Sequence, residues 1–78
     1  IVYEHEHGDL LHRLTHVQHD YADVIVSTLH VHMDADNCLE VLVVKGSAAR
    51  IERLAEQIIS ARGVKFGELT RATTGSEI

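Results

Sequence analysis

The sequence predicts an α+β domain in which a four-stranded antiparallel sheet carries two helices on one face. Stretches of β-branched and apolar residues with a period of two alternate with stretches whose apolar residues recur every three or four positions. Residues that favour turns separate them. The resulting order, strand, helix, strand, strand, helix, strand, is the split βαβ or ferredoxin-like pattern.

Residues 1–7 alternate, with Ile1, Tyr3, His5 and His7 on one side of a first strand and Gly8 ending it. Asp9 is placed to cap a helix, and Leu10, Leu11, Leu14 and Val17 give that helix an apolar stripe to about Gln18 or His19. Asp20 to Asp23 connects to a long strand over Val24–Met33, and Asp34 to Asn37 supplies a reversal. A third strand runs over Leu39–Lys45 and stops at Gly46. Ser47 caps a second helix, whose Ile51, Leu54, Ala55, Ile58 and Ile59 match the amphipathic template. Gly63 is expected as its left-handed C-cap residue, Val64–Arg71 as the last strand, and Ala72–Ile78 as a loose tail.

Seventy-eight residues are enough for one small domain. The chain starts at Ile1 rather than Met, which reads as a piece of a longer protein. A net charge of -5 makes a poor docking surface for nucleic acid or an anionic membrane. No run approaches the length of a membrane span. One cysteine excludes an intrachain disulfide, and a lone thiol suits a reducing, cytoplasmic setting in which it stays available as a ligand.

All seven histidines lie in the first 32 positions. His30 and His32 are two apart on one strand and so project from one face. For a reversal centred near Ala35, residues whose numbers sum to about 70 face each other, which sets Cys38 opposite His32 within about 5 Å. Two imidazoles and a thiolate on one spot make a transition-metal site short of one ligand. Glu40, next along the same face, is placed to accept a hydrogen bond from an imidazole and fix its tautomer. The plain alternative is two strand histidines and a half-buried cysteine that merely pack. His12, His16 and His19 form one stripe of the first helix, either a solvated face or a zinc site of its own, and His5 and His7 share a strand face as a weaker candidate. Both parities of the two central strands are largely apolar, and two helices cover only one face. The face bearing His30, His32 and Cys38 is therefore expected to be covered by another subunit.

The run Val2-Tyr3-Glu4-His5-Glu6, then Gln18-His19, Leu29-His30-Val31-His32, Asn37-Cys38-Leu39-Glu40, Lys45-Gly46 and Arg62-Gly63-Val64 resembles the C-terminal metal-binding domain of nickel-responsive regulators, the NikR family, over nearly the whole chain. The resemblance implies an ACT-like βαββαβ fold, with residues 1–78 acting as a nickel-binding and tetramerisation domain. It implies a homotetramer, a dimer of dimers, binding Ni(II) in a square-planar site. His30, His32 and Cys38 of one chain would be joined there by His19 of a neighbour. Tyr3, His5, Gln18 and Glu40 match positions around that site, as orienting groups or secondary ligands. Backbone carbonyls near Ile59, Ala61 and Val64 match a potassium site. Members of the family also carry an N-terminal ribbon-helix-helix domain that grips operator DNA. Nothing before Ile1 represents it here, so the piece is expected to sense metal and assemble but not to bind an operator.

Other readings remain open from the residues alone. Zinc would ask the same donors for a tetrahedral arrangement, and copper would outcompete nickel at almost any such site. An ACT-like module binding an amino acid at a subunit interface would use a loop such as Gly8-Asp9 but leaves His30, His32 and Cys38 unexplained. Cys38 beside a histidine has the make-up of a nucleophile and base, but no oxyanion-stabilising loop accompanies it, so no enzyme is expected.

Overall fold

The computed structural model describes residues 1–4, 6 and 8–75. Its elements are β1 (Val2–Glu4), α1 (Gly8–Asp20), β2 (Ile25–His32), β3 (Asn37–Val44), α2 (Ala48–Ile59) and β4 (Val64–Phe66). The four strands form one sheet in the order β2-β3-β1-β4, with every neighbouring pair antiparallel. The predicted ferredoxin-like arrangement is therefore the observed one.

The core lies between the sheet and the helices. From α1 it receives Leu10, Leu14 and Val17, from α2 Leu54 and Ile58, and from the sheet Tyr3 and Cys38, all buried. Leu42 and Val44, partly buried, pack against this cluster. Cys38, Glu40, Leu42 and Val44 alternate along β3, so the face that carries them is the one the helices cover. Cross-strand partners share a face, and His32 and His30 pair with Cys38 and Glu40. This corrects the expected role of the two faces. On the histidine and cysteine face the chain's own helices close over Cys38 and Glu40 of β3 and leave His30 and His32 of β2 exposed. The uncovered face is the opposite one, where Leu29, Val31, Val41, Val43 and Phe66 are exposed. Parity along the two strands did not reveal which face the helices would take, because both faces are apolar.

A register shift between Ile25 and Ser27 carries Ile25 onto the helix side opposite Val44, where it packs against the core. The turn between β2 and β3 rests on Asp34, whose Oδ1 accepts the backbone N–H groups of Asp36 and Asn37 at 2.8 Å each. These bonds hold the Asp34 carboxyl below its ordinary pKa.

Three boundaries differ from expectation. The first strand ends at Glu4, and His5 and His7 lie outside the described residues. The last strand ends at Phe66 rather than Arg71, because its one partner, β1, is three residues long. Gly63 does not cap α2. The helix ends at Ile59 with Ser60 as its cap, still right-handed, and Gly63 at φ 103° turns the chain into β4. Asp9 sits inside the first turn of α1, where its charge complements the helix dipole. Ser47 does cap α2, its hydroxyl accepting from the Arg50 N–H at 3.3 Å.

The exit from β4 depends on a missing side chain. A Cβ on Gly67 would sit 2.6 Å from Cγ1 of Ile59. Gly67→Ala is expected to lower unfolding stability by about 1–3 kcal/mol through overpacking. Ser47→Ala is expected to lower it by about 1 kcal/mol through loss of the cap. Urea titration checks both, and the midpoint should fall while the slope stays unchanged.

Candidate metal centre

The turn at Asp34 fixes the pairing of β2 with β3, and the pairing fixes the site. Val31 faces Leu39, His32 faces Cys38, and His30 faces Glu40, the register expected from a reversal near Ala35. Cys38 is fully buried, and its Sγ lies 3.5 Å from Nδ1 of His32. The His30 and His32 rings are 5.5 Å apart. His30 stands edge-on to Tyr3 at 6.0 Å and places Nδ1 3.8 Å from Oε2 of Glu40. Tyr3 pairs with Cys38 on the far side, so the row across the sheet reads His32, Cys38, Tyr3 and Val64.

Behind the histidines sits the one buried charged side chain among the described residues, Glu40. A buried carboxylate is costly unless hydrogen bonds replace its water. Here the Gln18 amide donates to Oε1 at 2.6 Å and the Tyr3 hydroxyl to Oε2 at 3.4 Å. Gln18 belongs to α1, so this carboxylate ties helix to sheet directly behind the site. Burial, the nearby Glu40 charge and, after them, Cys38 push the Tyr3 phenol up to about 12.

The expected groups thus divide. His30, His32 and Cys38 lie together on the hairpin, with Glu40, Gln18 and Tyr3 behind them. His19 lies on the exposed side of the last turn of α1. His5 lies outside the described residues. Among the described residues no three His, Cys, Asp or Glu side chains are already arranged to hold an ion. The donor set still suits a late first-row metal: two imidazoles and a thiol side by side, one imidazole against a buried carboxylate. What one chain lacks is closure, which a further donor would supply.

Ile59, Ala61 and Val64 sit where α2 gives way to β4, and the Ala61 carbonyl there accepts the Val64 N–H at 3.1 Å. Beside Gly8 and Asp9 a depression is lined by Asp9, Leu10, Arg13 and Arg62. Its three charged side chains are all exposed, which makes it a poor enclosure for a small ligand. Sequence reasoning placed Gln18 and Tyr3 near the site through family resemblance only. Their shared hold on Glu40 carried no local signal, since the three residues lie on different elements.

The profile of the family described as "NikR C terminal nickel binding domain" matches residues 1–72. The chain belongs to this family. Relatives described as "Putative nickel-responsive regulator" are 58% identical in Thermococcus onnurineus and 54% in both Pyrococcus abyssi and Solidesulfovibrio magneticus. Each match covers all 78 residues of this chain. The chain spans 56% of the length of each of these relatives. Among the described residues no helix is long and apolar enough to cross a membrane.

The environment of Tyr3 gives a measurable signature. The folded chain is expected to keep its Tyr3 proton well above pH 10, so phenolate absorbance should show one tyrosine of the two titrating near 12. Tyr3→Phe should remove that step, and Glu40→Gln should lower it. The unfolded chain loses this proton at about pH 10. Tyr3 therefore contributes stability below that pH that is lost as pH rises towards 12.

Proposed function

We propose that this chain is the nickel-sensing domain of a metal-dependent transcriptional regulator. His30, His32 and Cys38 would hold Ni(II) from one chain, and His19 of a neighbouring chain would complete a square-planar site. The observation that carries this reading is the pairing of His32 with Cys38 and of His30 with Glu40, which sets three suitable donors on one face of one hairpin. Membership of a nickel-binding domain family agrees with it.

The hairpin donors stand where a neighbour can reach them. β2 is an edge strand, exposed along nearly its whole length, and the helices close over β3 and β1. His30 is 44% exposed, whereas Cys38 is fully buried. The thiol is thus fixed by the core, and the imidazoles face outward beside it. A d8 ion gains ligand-field energy from a planar set of nitrogen donors and one thiolate. Glu40, held by Gln18 and Tyr3, sets a carboxylate oxygen 3.8 Å from Nδ1 of His30, where its charge would favour a ring orientation with the other nitrogen directed to the ion.

The remainder of the reading follows from assembly. With His19 supplied across a boundary, metal occupancy and the arrangement of chains become linked. The exposed apolar face formed by Leu29, Val31, Val41 and Val43 would be covered in a tetramer built as a dimer of dimers. Operator binding would belong to an N-terminal ribbon-helix-helix domain outside this chain. Potassium would sit on the carbonyls near Ile59, Ala61 and Val64 where the two domains meet. The chain itself would carry out no catalysis.

Titration with Ni(II) is expected to give a thiolate-to-nickel charge-transfer band that saturates at one ion per chain. Cys38→Ala should abolish the band. His19→Ala should leave the fold intact and weaken binding by at least about tenfold through loss of one ligand. Because protons compete for thiolate and imidazole alike, affinity should fall as pH falls. An unchanged spectrum in Cys38→Ala would refute the proposal.

A further inference from the structure

The histidines on α1 have no part in the site above except for His19, and their placement is unusual. His12-Arg13-Leu14-Thr15-His16 spaces two imidazoles four residues apart. α1 is continuous from Gly8 to Asp20, so both project from one side of the helix, one turn apart. That side is the solvent side: His12 and His16 are exposed, and the buried stripe is Leu10, Leu14 and Val17. One turn further on, Oδ2 of Asp20 lies 3.5 Å from Nε2 of His16. A carboxylate against one imidazole nitrogen, with the other directed away from it, is the arrangement that orients histidine as a ligand. The His-x-x-x-His spacing on a helix is the one by which two imidazoles share a divalent ion.

We propose that His12 and His16 chelate a second divalent late-transition-metal ion on the surface of α1, with Asp20 as the positioning residue for His16 and water in the remaining coordination positions. The pair brings two protein ligands where the hairpin proposal brings four, and its donors are nitrogen only. It therefore binds more weakly than the hairpin and carries no thiolate band. Both imidazoles belong to one helix, so the ion also fastens two successive turns of α1, the second of which leads directly into His19.

The test is a Ni(II) titration of the protein followed by calorimetry and absorbance together. The expected result is a weaker second equivalent that releases heat without adding to the charge-transfer band. His12→Ala with His16→Ala should remove that equivalent and leave the first unchanged. Asp20→Asn should weaken it by about tenfold. The paired exchange Arg13→His and His16→Arg keeps the composition but sets the two imidazoles on adjacent positions that do not face each other, and it should abolish the second equivalent as completely as the alanine pair does. Circular dichroism checks that the helix persists in each variant, since every substituted side chain is exposed. A second equivalent that survives either double variant, or its absence from the unaltered protein, overturns the proposal. Failure of the hairpin reading would look different: the thiolate band would be missing while the α1 equivalent still vanished with His12 and His16.

Discussion

One pairing, His32 against Cys38, sets the position of His30, His32 and Cys38 on the hairpin, and it depends on a four-residue reversal held by Asp34. Side chains alternate along a strand, so a slip of one residue would send His30 and His32 to the open face and leave Cys38 and Glu40 in the core. Asp34 guards against that slip. Its carboxylate accepts both backbone N–H groups of the turn, and the Met33 N–H donates to the Asn37 carbonyl at 2.9 Å to close the ladder. Lys65 reaches back from β4 to Asn37 Oδ1 at 2.6 Å, which anchors the end of the hairpin to the far edge of the sheet.

Behind this frame Glu40 turns a liability into a tether. Its backbone is held by Ile1 through two bonds, its amide donating to the Ile1 carbonyl and its carbonyl accepting from the Ile1 nitrogen, each at 2.9 Å. Its side chain engages α1 through Gln18 and β1 through Tyr3. A displacement of α1 along the sheet would break the Gln18 bond and leave a buried carboxylate underpaired, a penalty of about 1–3 kcal/mol. Gln18 immediately precedes His19. The helix end that carries His19 and the hairpin that carries His30, His32 and Cys38 are thereby held to one buried charge.

Much of this was legible in the sequence, for reasons particular residues make plain. The helix of residues 48–59 has a serine cap and an unbroken apolar stripe, and the hairpin has a turn of Asp and Asn between two β-branched runs. Local chemistry alone specified both, and with them the opposition of His32 and Cys38. Short strands were harder. Residues 1–7 and 64–71 alternate convincingly, but strand length is set by partners, and β1 and β4 offer each other only a few pairs. The face the helices take was not legible at all. Val41 and Val43 read no less apolar than Leu42 and Val44, and only the packing of Leu54 and Ile58 distinguishes them.

That undecided face explains why the site lies at a margin. Two helices on a four-stranded sheet bury its inner strands and leave β2 to solvent on both sides. The thiol of Cys38, on an inner strand, is sealed beneath the helices, and the imidazoles opposite it are not. A donor set divided between a covered and an uncovered strand can be fixed on one side and open to an incoming ligand on the other. Had the hairpin lain in the middle of the sheet, the helices of the same chain would have closed over all three donors and left no path for another. On the reading proposed here, the edge position of β2 is what makes metal binding a matter between chains: the apolar residues on its outer face and the histidines on its inner face both require the neighbour that a single domain of this size cannot supply.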